Sequence, residues 1–489
     1  RGARHHALRN RDQGSLAVVF SSVSFVFLFL PLVVLCHFVL HPVLRNAVLL
    51  SASVMFYLVG EPSQFSVLGV SLAINYIGGL VIGSLPAARR WPALFVLVAA
   101  NLLILFVFKY AGFVAGSVDA AAGTSLSHLY GLGQLALPLG ISFFTFHGIS
   151  YIVDVYRGTA PPQKDIFKFG IYFVFFPQLI AGPIIRYHDV ADQLADRNPT
   201  WNDVYEGFQR FAIGLAKKVL LANPMGSIAD AMFAIPNSEI DFFSAWLGTV
   251  SYMLQIYFDF SGYSDMAIGL ARMFGVRFPE NFNFPYISQS ITEFWRRWHI
   301  SLSSWFRDYL YVPLGGNRRG IGRTYLNLIT VFVLCGLWHG ASWNFLLWGV
   351  YYGVFLVIER MFAATAPRTP RFIRHFYALL VVAIGWVLFR AHDLPQAWSF
   401  LSAMFWPAWR EGATWALYTL EPGLLIVMAI AILASTPALQ WAANQLEVLQ
   451  PLPRRARDLV ASALTFCVFL VSASFVVSST YNPFIYFRF

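Results

Sequence analysis

Apolar runs recur from one end of the chain to the other, separated by short polar or basic turns. About 20 apolar residues suffice for a helix to cross the hydrocarbon of a bilayer. On that basis the pattern predicts membrane segments near 20–42, 46–60, 63–85, 92–114, 131–153, 166–187, 204–222, 243–271, 325–340, 343–359, 375–391, 414–435 and 458–480. Several are too short for a full crossing. These predict half-spanning or re-entrant pieces, whose backbone must be shielded by protein or water. The expected fold is therefore all-α: a polytopic integral membrane protein with roughly a dozen membrane segments plus re-entrant or interfacial helices.

The stretch 287–312 departs from this pattern. Ser290 and Glu293 have the spacing of a capping box, which marks a helix start. Phe294, Trp298, Leu302, Trp305 and Tyr309 then recur at helical intervals, with Arg296, Arg297, Ser301, Ser304 and Asp308 largely on the other side. The alternation predicts one amphipathic helix at the membrane interface, ended by Pro313 and the paired glycines after Leu314. His299 would point inward from it, with Trp295 and Leu302 as neighbours at i−4 and i+3.

Composition agrees with the hydropathy. Of 489 residues, 58% are hydrophobic and only 12% charged, about half the charged share of an ordinary soluble domain. The net charge of +10 does not call for nucleic acid, because the basic residues cluster in short loops. Arg89 and Arg90, Arg157 to Lys168, Arg296 to Arg323, Arg360 to Arg374 and Arg454 to Arg457 form the clusters, whereas 116–130 has neither Lys nor Arg. The positive-inside rule makes the clusters cytoplasmic and 116–130 external. Continuing the alternation puts 272–323 inside and the tail from Ser479 outside. The same count places the N-terminus outside, although residues 1–11 carry four arginines. Residues 1–17 therefore read as an N-terminal extension or cloning remnant. With no internal repeat and no long polar linker, 18–480 reads as one membrane domain, followed by an aromatic C-terminal motif at 481–489.

Several chemistries are unsupported. G-x-S-x-G and H-E-x-x-H are absent, and Cys36, Cys335 and Cys467 have neither disulfide nor metal spacing. No metal site is expected. Cys335, four residues before His339, reads as a buried apolar residue more readily than as a nucleophile. "GGNRRG" (315–320) lacks the ending of a P-loop and reads first as a loop, with a phosphate-holding role as the alternative.

His299 and His339 remain, each directly after a Trp and 40 positions apart. An imidazole at membrane depth is costly and suggests function, although packing is the simpler account. Burial would keep it neutral, as a general base requires. Asp259 and Asp265 do not share a helical face cleanly, and pairing with an arginine or capping a broken helix suits them best. Lys217 and Lys218 suggest a membrane edge, with snorkelling stems. The tail "YNPFIYFRF" suggests an interfacial aromatic belt, the alternative being a free end threaded into a pocket with the Tyr486 hydroxyl.

Six strings together resemble a known family: "VFSSVSFVFLFLP" (19–31), "LPLGISFFTFHGISYIVDVYRG" (137–158), "FPQLIAGPIIRY" (176–187), "QIYFDFSGYSDMAIGLA" (255–271), "FPYISQSITEFWRRWHISLSSWFRDYLYVPLGGNRRG" (284–320) and "GLWHGASWNFLLWG" (336–349). The chain from Val18 onward resembles the membrane-bound O-acyltransferases, in the branch that acylates bacterial exopolysaccharides and cell walls. The resemblance implies a ring-like bundle thinned at its centre, in the bacterial inner membrane, with a cytosolic funnel for the donor. It implies His339 as the catalytic base and His299 as a second functional histidine. It also implies Tyr486 as an acyl-carrying tyrosine. Acetyl-CoA would be the donor substrate, with no bound cofactor. Arg296, Arg297, Arg318 and Arg319 would lie on the donor side, and Trp298, Trp338, Asn344 and Asp259 would be further substrate-binding residues. Expected partners are membrane lipid, a polysaccharide acceptor and a periplasmic SGNH-type acetyltransferase. The competing class is a transporter or flippase of an acylated intermediate or polymer, against which the lack of repeats argues.

Overall fold

A computed structural model describes residues 19–132, 135–195, 197–362, 369–406, 420–449, 453–479 and 481–483. Residues 1–17, the N-terminal extension of the sequence reading, and Tyr486 lie outside the described residues. Every regular element among them is helical. Among the described residues six helices are long and apolar enough to cross a membrane: Pro42–Gly60, Pro62–Ser84, Ala87–Ala122, Ile321–His339, Arg371–Arg390 and Ala456–Ser478. Phe25–Val39 and Pro422–Ala434 are shorter apolar helices. The architecture is thus all-α and multi-pass.

Two of the predicted runs depart from simple spanning helices for local reasons. The run at 166–187 is not one helix: Ile166–Val174 and Phe176–Leu179 are followed by irregular chain up to Arg186. Pro177, Gly182 and Pro183 account for the interruption, since proline removes a backbone donor and disfavours helix in the residue before it. Ile141–Arg157 is helical, but thirteen of its residues, His147 and Asp154 included, are buried inside the protein. Apolarity along that helix reflects a protein core.

The chain divides into two units. The first comprises residues up to Gly207 together with 267–278. Here Asn75 and Asn101, on neighbouring membrane helices, exchange side-chain amide hydrogen bonds of 2.9 and 3.0 Å. Each amide also donates to the carbonyl one turn back, so none of these polar groups is left unsatisfied in an apolar layer. Asp154 accepts from both the backbone N–H and Nδ1 of His188, at 3.0 and 2.8 Å.

The second unit comprises 208–266 and 279–489. The helices Ile321–His339 and Trp343–Met361 form a tight hairpin. A Cβ on Gly336 would lie 2.2 Å from the Phe345 carbonyl oxygen, and one on Gly349 would lie 2.4 Å from that of Phe332. Only glycine permits this approach, as in close-packed membrane helix pairs generally. Phe242–Met273 is a single helix of 32 residues, so the polar island around Asp265 does not break it. Both acids are paired instead: Asp259 with Lys218 at 2.6 Å, and Asp265 with Arg210 and Lys217, each at 2.7 Å. The expectation that Lys218 snorkels at a membrane edge is corrected. Its side chain is 4% exposed, because the π-helical turn Lys217–Ala222 turns it toward Asp259.

Candidate active site

The expected interfacial helix is interrupted where it matters most. Ser290 caps Ile291–Arg297 by accepting from the Glu293 N–H, and Glu293 accepts from the Gln289 N–H, close to the predicted capping box. The helix then stops. Trp298 is extended, and His299 adopts left-handed backbone angles (φ 44°, ψ 56°) before Ile300–Phe306 resumes. A π-helical turn, Arg307–Tyr311, follows. The left-handed region costs a non-glycine residue about 1–2 kcal/mol, so something must hold it. The loop 281–283 does so. Asn281 O accepts from Ile300 N at 2.9 Å, and Arg297 O accepts from Asn283 N at 2.9 Å. Nor does the aromatic face lie on a membrane surface: Phe294, Trp295, Trp298 and Trp305 are all buried. The break, rather than helical phase, turns His299 inward.

Asn281 also fixes the imidazole. Its Oδ1 lies 3.0 Å from His299 Nδ1, 2.8 Å from Ser301 Oγ and 3.3 Å from the Ser301 backbone nitrogen. A backbone N–H can only donate, which identifies this amide atom as the oxygen. Facing an oxygen, Nδ1 must carry the proton. On the other side Asn281 Nδ2 donates to Ser264 Oγ at 2.9 Å. His299 Nε2, which is buried, has no hydrogen-bond partner among the described residues and is left as an acceptor. Phe260 meets the ring edge-on at 4.6 Å between centroids. Burial, and secondarily the charge of His339, hold the His299 imidazole well below the ordinary histidine range, so it is neutral at pH 7.

His339 is the last residue of Ile321–His339, where Gly340 turns extended. Three aromatic rings surround it: Trp338 at 4.9 Å, Phe389 at 5.1 Å and Trp348 at 5.2 Å. Trp338 also lies 6.2 Å from the His299 ring, so one indole borders both histidines. The glycine seam at Gly336 and Gly349 sets the height of this corner. Asn344 steadies it by donating to the Ala391 carbonyl at 2.9 Å.

The other predicted residues separate. Trp298 is buried against Trp386 at 4.8 Å and belongs to the wall behind His299. Arg297 is engaged with Glu293 and the Asn283 carbonyl, while Arg296, Arg318 and Arg319 are exposed. Asp259 is held by Lys218, and its neighbour Phe260 touches His299. Among the described residues no group of His, Cys, Asp and Glu is arranged to hold a metal. Asn281 was not foreseen. In "FPENFNFPY" nothing in spacing marks one asparagine of a loop as the partner of a residue 18 positions on.

Residues 162–394, the segment holding both histidines, match the membrane-bound O-acyltransferase family. A probable alginate O-acetylase of Azotobacter vinelandii is 45% identical over 421 residues, 85% of this chain and 83% of that protein. The chain belongs to the membrane-bound O-acyltransferase family. A second probable alginate O-acetylase, from Pseudomonas putida, is 40% identical over 96% of this chain and 100% of its own length. A peptidoglycan O-acetyltransferase of Helicobacter pylori is 35% identical over 79% of this chain and 80% of its own. Membership in the membrane-bound O-acyltransferases makes the chain an acyltransferase.

Proposed function

We propose that the protein is an O-acetyltransferase of the bacterial inner membrane that passes acetyl from cytosolic acetyl-CoA toward an extracytoplasmic polysaccharide. One observation carries the chemistry: the two histidines stand at opposite ends of helices. His339 ends a helix of 19 residues and is walled by the rings of Trp338, Trp348 and Phe389. His299 precedes the first turn of the helical stretch 300–311, with Nδ1 held by Asn281 and burial keeping the ring neutral. Two imidazoles in such different settings suit two different tasks.

His339 is the general base. It takes the proton of the acceptor hydroxyl as that oxygen attacks the thioester carbonyl carbon. When the tetrahedral intermediate collapses, the carbon–sulfur bond breaks and the His339 imidazolium returns its proton to the CoA thiolate. The products are an O-acetyl ester and CoA. His299 stays neutral and offers Nε2 as a fixed acceptor, to which an amide N–H of the pantetheine arm can donate. The exposed Arg296, Arg318 and Arg319 suit the CoA phosphates. As drawn, the reaction needs no metal or resident cofactor.

The acceptor hydroxyl is either Tyr486, as a relay, or the polymer itself. A tyrosine phenol has an ordinary pKa near 10, which makes a base useful at neutral pH. A periplasmic SGNH-type transferase would then collect the acetyl group. The relatives' names, alginate O-acetylase and peptidoglycan O-acetyltransferase, favour an extracytoplasmic polysaccharide as final acceptor.

The test uses purified protein and acetyl-CoA carrying a labelled acetyl group. CoA release and label on the C-terminal peptide, both lost in His339→Ala, are expected. CoA release without chain label would remove the tyrosine relay and leave direct transfer. Normal CoA release by His339→Ala would overturn the assignment of the base. Neither signal, with polymer and partner supplied, would favour the transporter class.

A further inference from the structure

The buried ion pair of Lys218 and Asp259 takes no part in the chemistry above and is expensive to keep. Their side chains are 4% and 2% exposed, and charges so deeply buried are tolerated only when fully hydrogen-bonded. Lys218 Nζ satisfies a further proton by donating to the carbonyl oxygen of Pro483, 265 positions away. Proline has no N–H, so a segment held at Pro483 can be held only through that carbonyl.

Two further contacts fasten the same segment. Asn223 Nδ2 donates to the Tyr481 carbonyl at 3.2 Å. The Tyr481 hydroxyl donates to Asp230 Oδ2 at 2.9 Å, and Asp230 is itself paired with Arg390 at 2.6 Å. The chain after the last membrane helix is thus bound at backbone and side chain, by residues of the π-helical turn Lys217–Ala222 and of the helix Asn223–Phe233 that continues it.

One member of each ion pair is the sequence neighbour of a ring that touches a histidine. Asp259 precedes Phe260, whose ring meets His299 at 4.6 Å. Arg390 follows Phe389, whose ring lies 5.1 Å from His339.

We infer that Lys218–Asp259 and Asp230–Arg390 form a two-point latch that ties the C-terminal residues 481–483 to the helices carrying Phe260 and Phe389, whose rings touch His299 and His339. These four are positioning residues, and the docked tail is an integral part of the reaction centre. The latch stands on the contacts of 481–483; its use in acyl transfer rests on the proposed reading of Tyr486.

The test compares the full-length wild type with two variants in detergent micelles. Lys218→Met/Asp259→Leu removes both charges together, so no lone buried charge remains to unfold the protein. Tyr481→Phe removes only the bond to Asp230 and is still a chymotrypsin site. Chymotrypsin is added, and peptides beginning at Asn482 are followed by mass spectrometry. Release is expected to be at least tenfold faster in the double variant and severalfold faster in Tyr481→Phe. If the double variant does not fold, Tyr481→Phe decides alone. Unchanged release in the folded variants overturns the latch. In parallel, label on the C-terminal peptide per CoA released is expected to fall at least tenfold in the double variant. Faster release in the variants, with no chain label even in wild type, keeps the latch and overturns the tyrosine relay. Label per CoA that is unchanged while release accelerates overturns the positioning role.

Discussion

Asn281 and Ser301 together decide which nitrogen of His299 is protonated. The Ser301 backbone N–H, 3.3 Å from Asn281 Oδ1, orients the amide, and the amide oxygen then faces Nδ1 at 3.0 Å. An imidazole held this way offers Nε2 as an acceptor throughout a catalytic cycle.

Asn281→Ala should therefore lower the rate of CoA release without abolishing it, by about 10- to 100-fold, the usual cost of losing a residue that orients a histidine. Asn281→Asp should behave differently. A carboxylate beside Nδ1 raises the imidazole pKa, which burial otherwise holds low. The part of the acidic limb of the rate profile that reports His299 protonation should therefore lie at higher pH in Asn281→Asp than in wild type. Identical profiles for the two proteins would refute the orienting role.

His299→Ala should weaken donor binding more than it slows chemistry, because the ring remains neutral and accepts a single hydrogen bond. One such bond is worth about 0.5–1.5 kcal/mol, which corresponds to a rise of roughly two- to tenfold in KM for acetyl-CoA. His339→Ala should instead reduce kcat by at least about 100-fold, the contribution expected of a general base. Steady-state kinetics of both variants separates the two roles.

The hairpin that sets the height of His339 should not tolerate a methyl group. In Gly336→Ala the new Cβ meets the Phe345 carbonyl at 2.2 Å, and backbone cannot move aside as a flexible side chain would. Overpacking of this kind costs about 1–3 kcal/mol. A lowered Tm and a lowered kcat are both expected, measured on the same preparation.

Lys218→Met alone leaves Asp259 buried without its cation and should cost about 3–5 kcal/mol. The double replacement Lys218→Met/Asp259→Leu should recover most of that loss. Thermal unfolding of the three proteins checks the order: wild type and double variant close together, single variant well below.

The pair His188–Asp154 predicts a pH dependence of the first unit. The hydrogen bond to Asp154, and then its charge, raise the His188 pKa above 6.5 despite partial desolvation. A raised folded-state pKa means that this stabilisation is fully present below about pH 6.5 and is lost as pH rises through the higher folded value. The stability gap between wild type and Asp154→Asn should narrow as the pH is raised from about 6 to about 9, as read from Tm.

Much of the protein was legible before any coordinates. Long apolar runs with few charges determine membrane helices, because only a helix satisfies the backbone hydrogen bonds of a single segment within itself in lipid. The capping box at Ser290 is local chemistry and lies where its spacing puts it. His299 and His339 stood out because an imidazole in so apolar a setting needs a reason.

Other features depend on residues far apart in sequence. Periodicity could not reveal that the helix breaks at His299, since the hydrogen bonds holding the break come from Asn281 and Asn283 in a preceding loop. Apolarity could not separate a span from Ile141–Arg157, because protein core and lipid present the same solvent to a side chain. Nor could the sequence pair Lys218 with Asp259 or attach either to Pro483. Local sequence determined which segments are helical and which residues are chemically unusual. Tertiary structure decided which atoms of those residues face one another, because hydrogen bonds and ion pairs depend on distances that the chain sets only after it has folded.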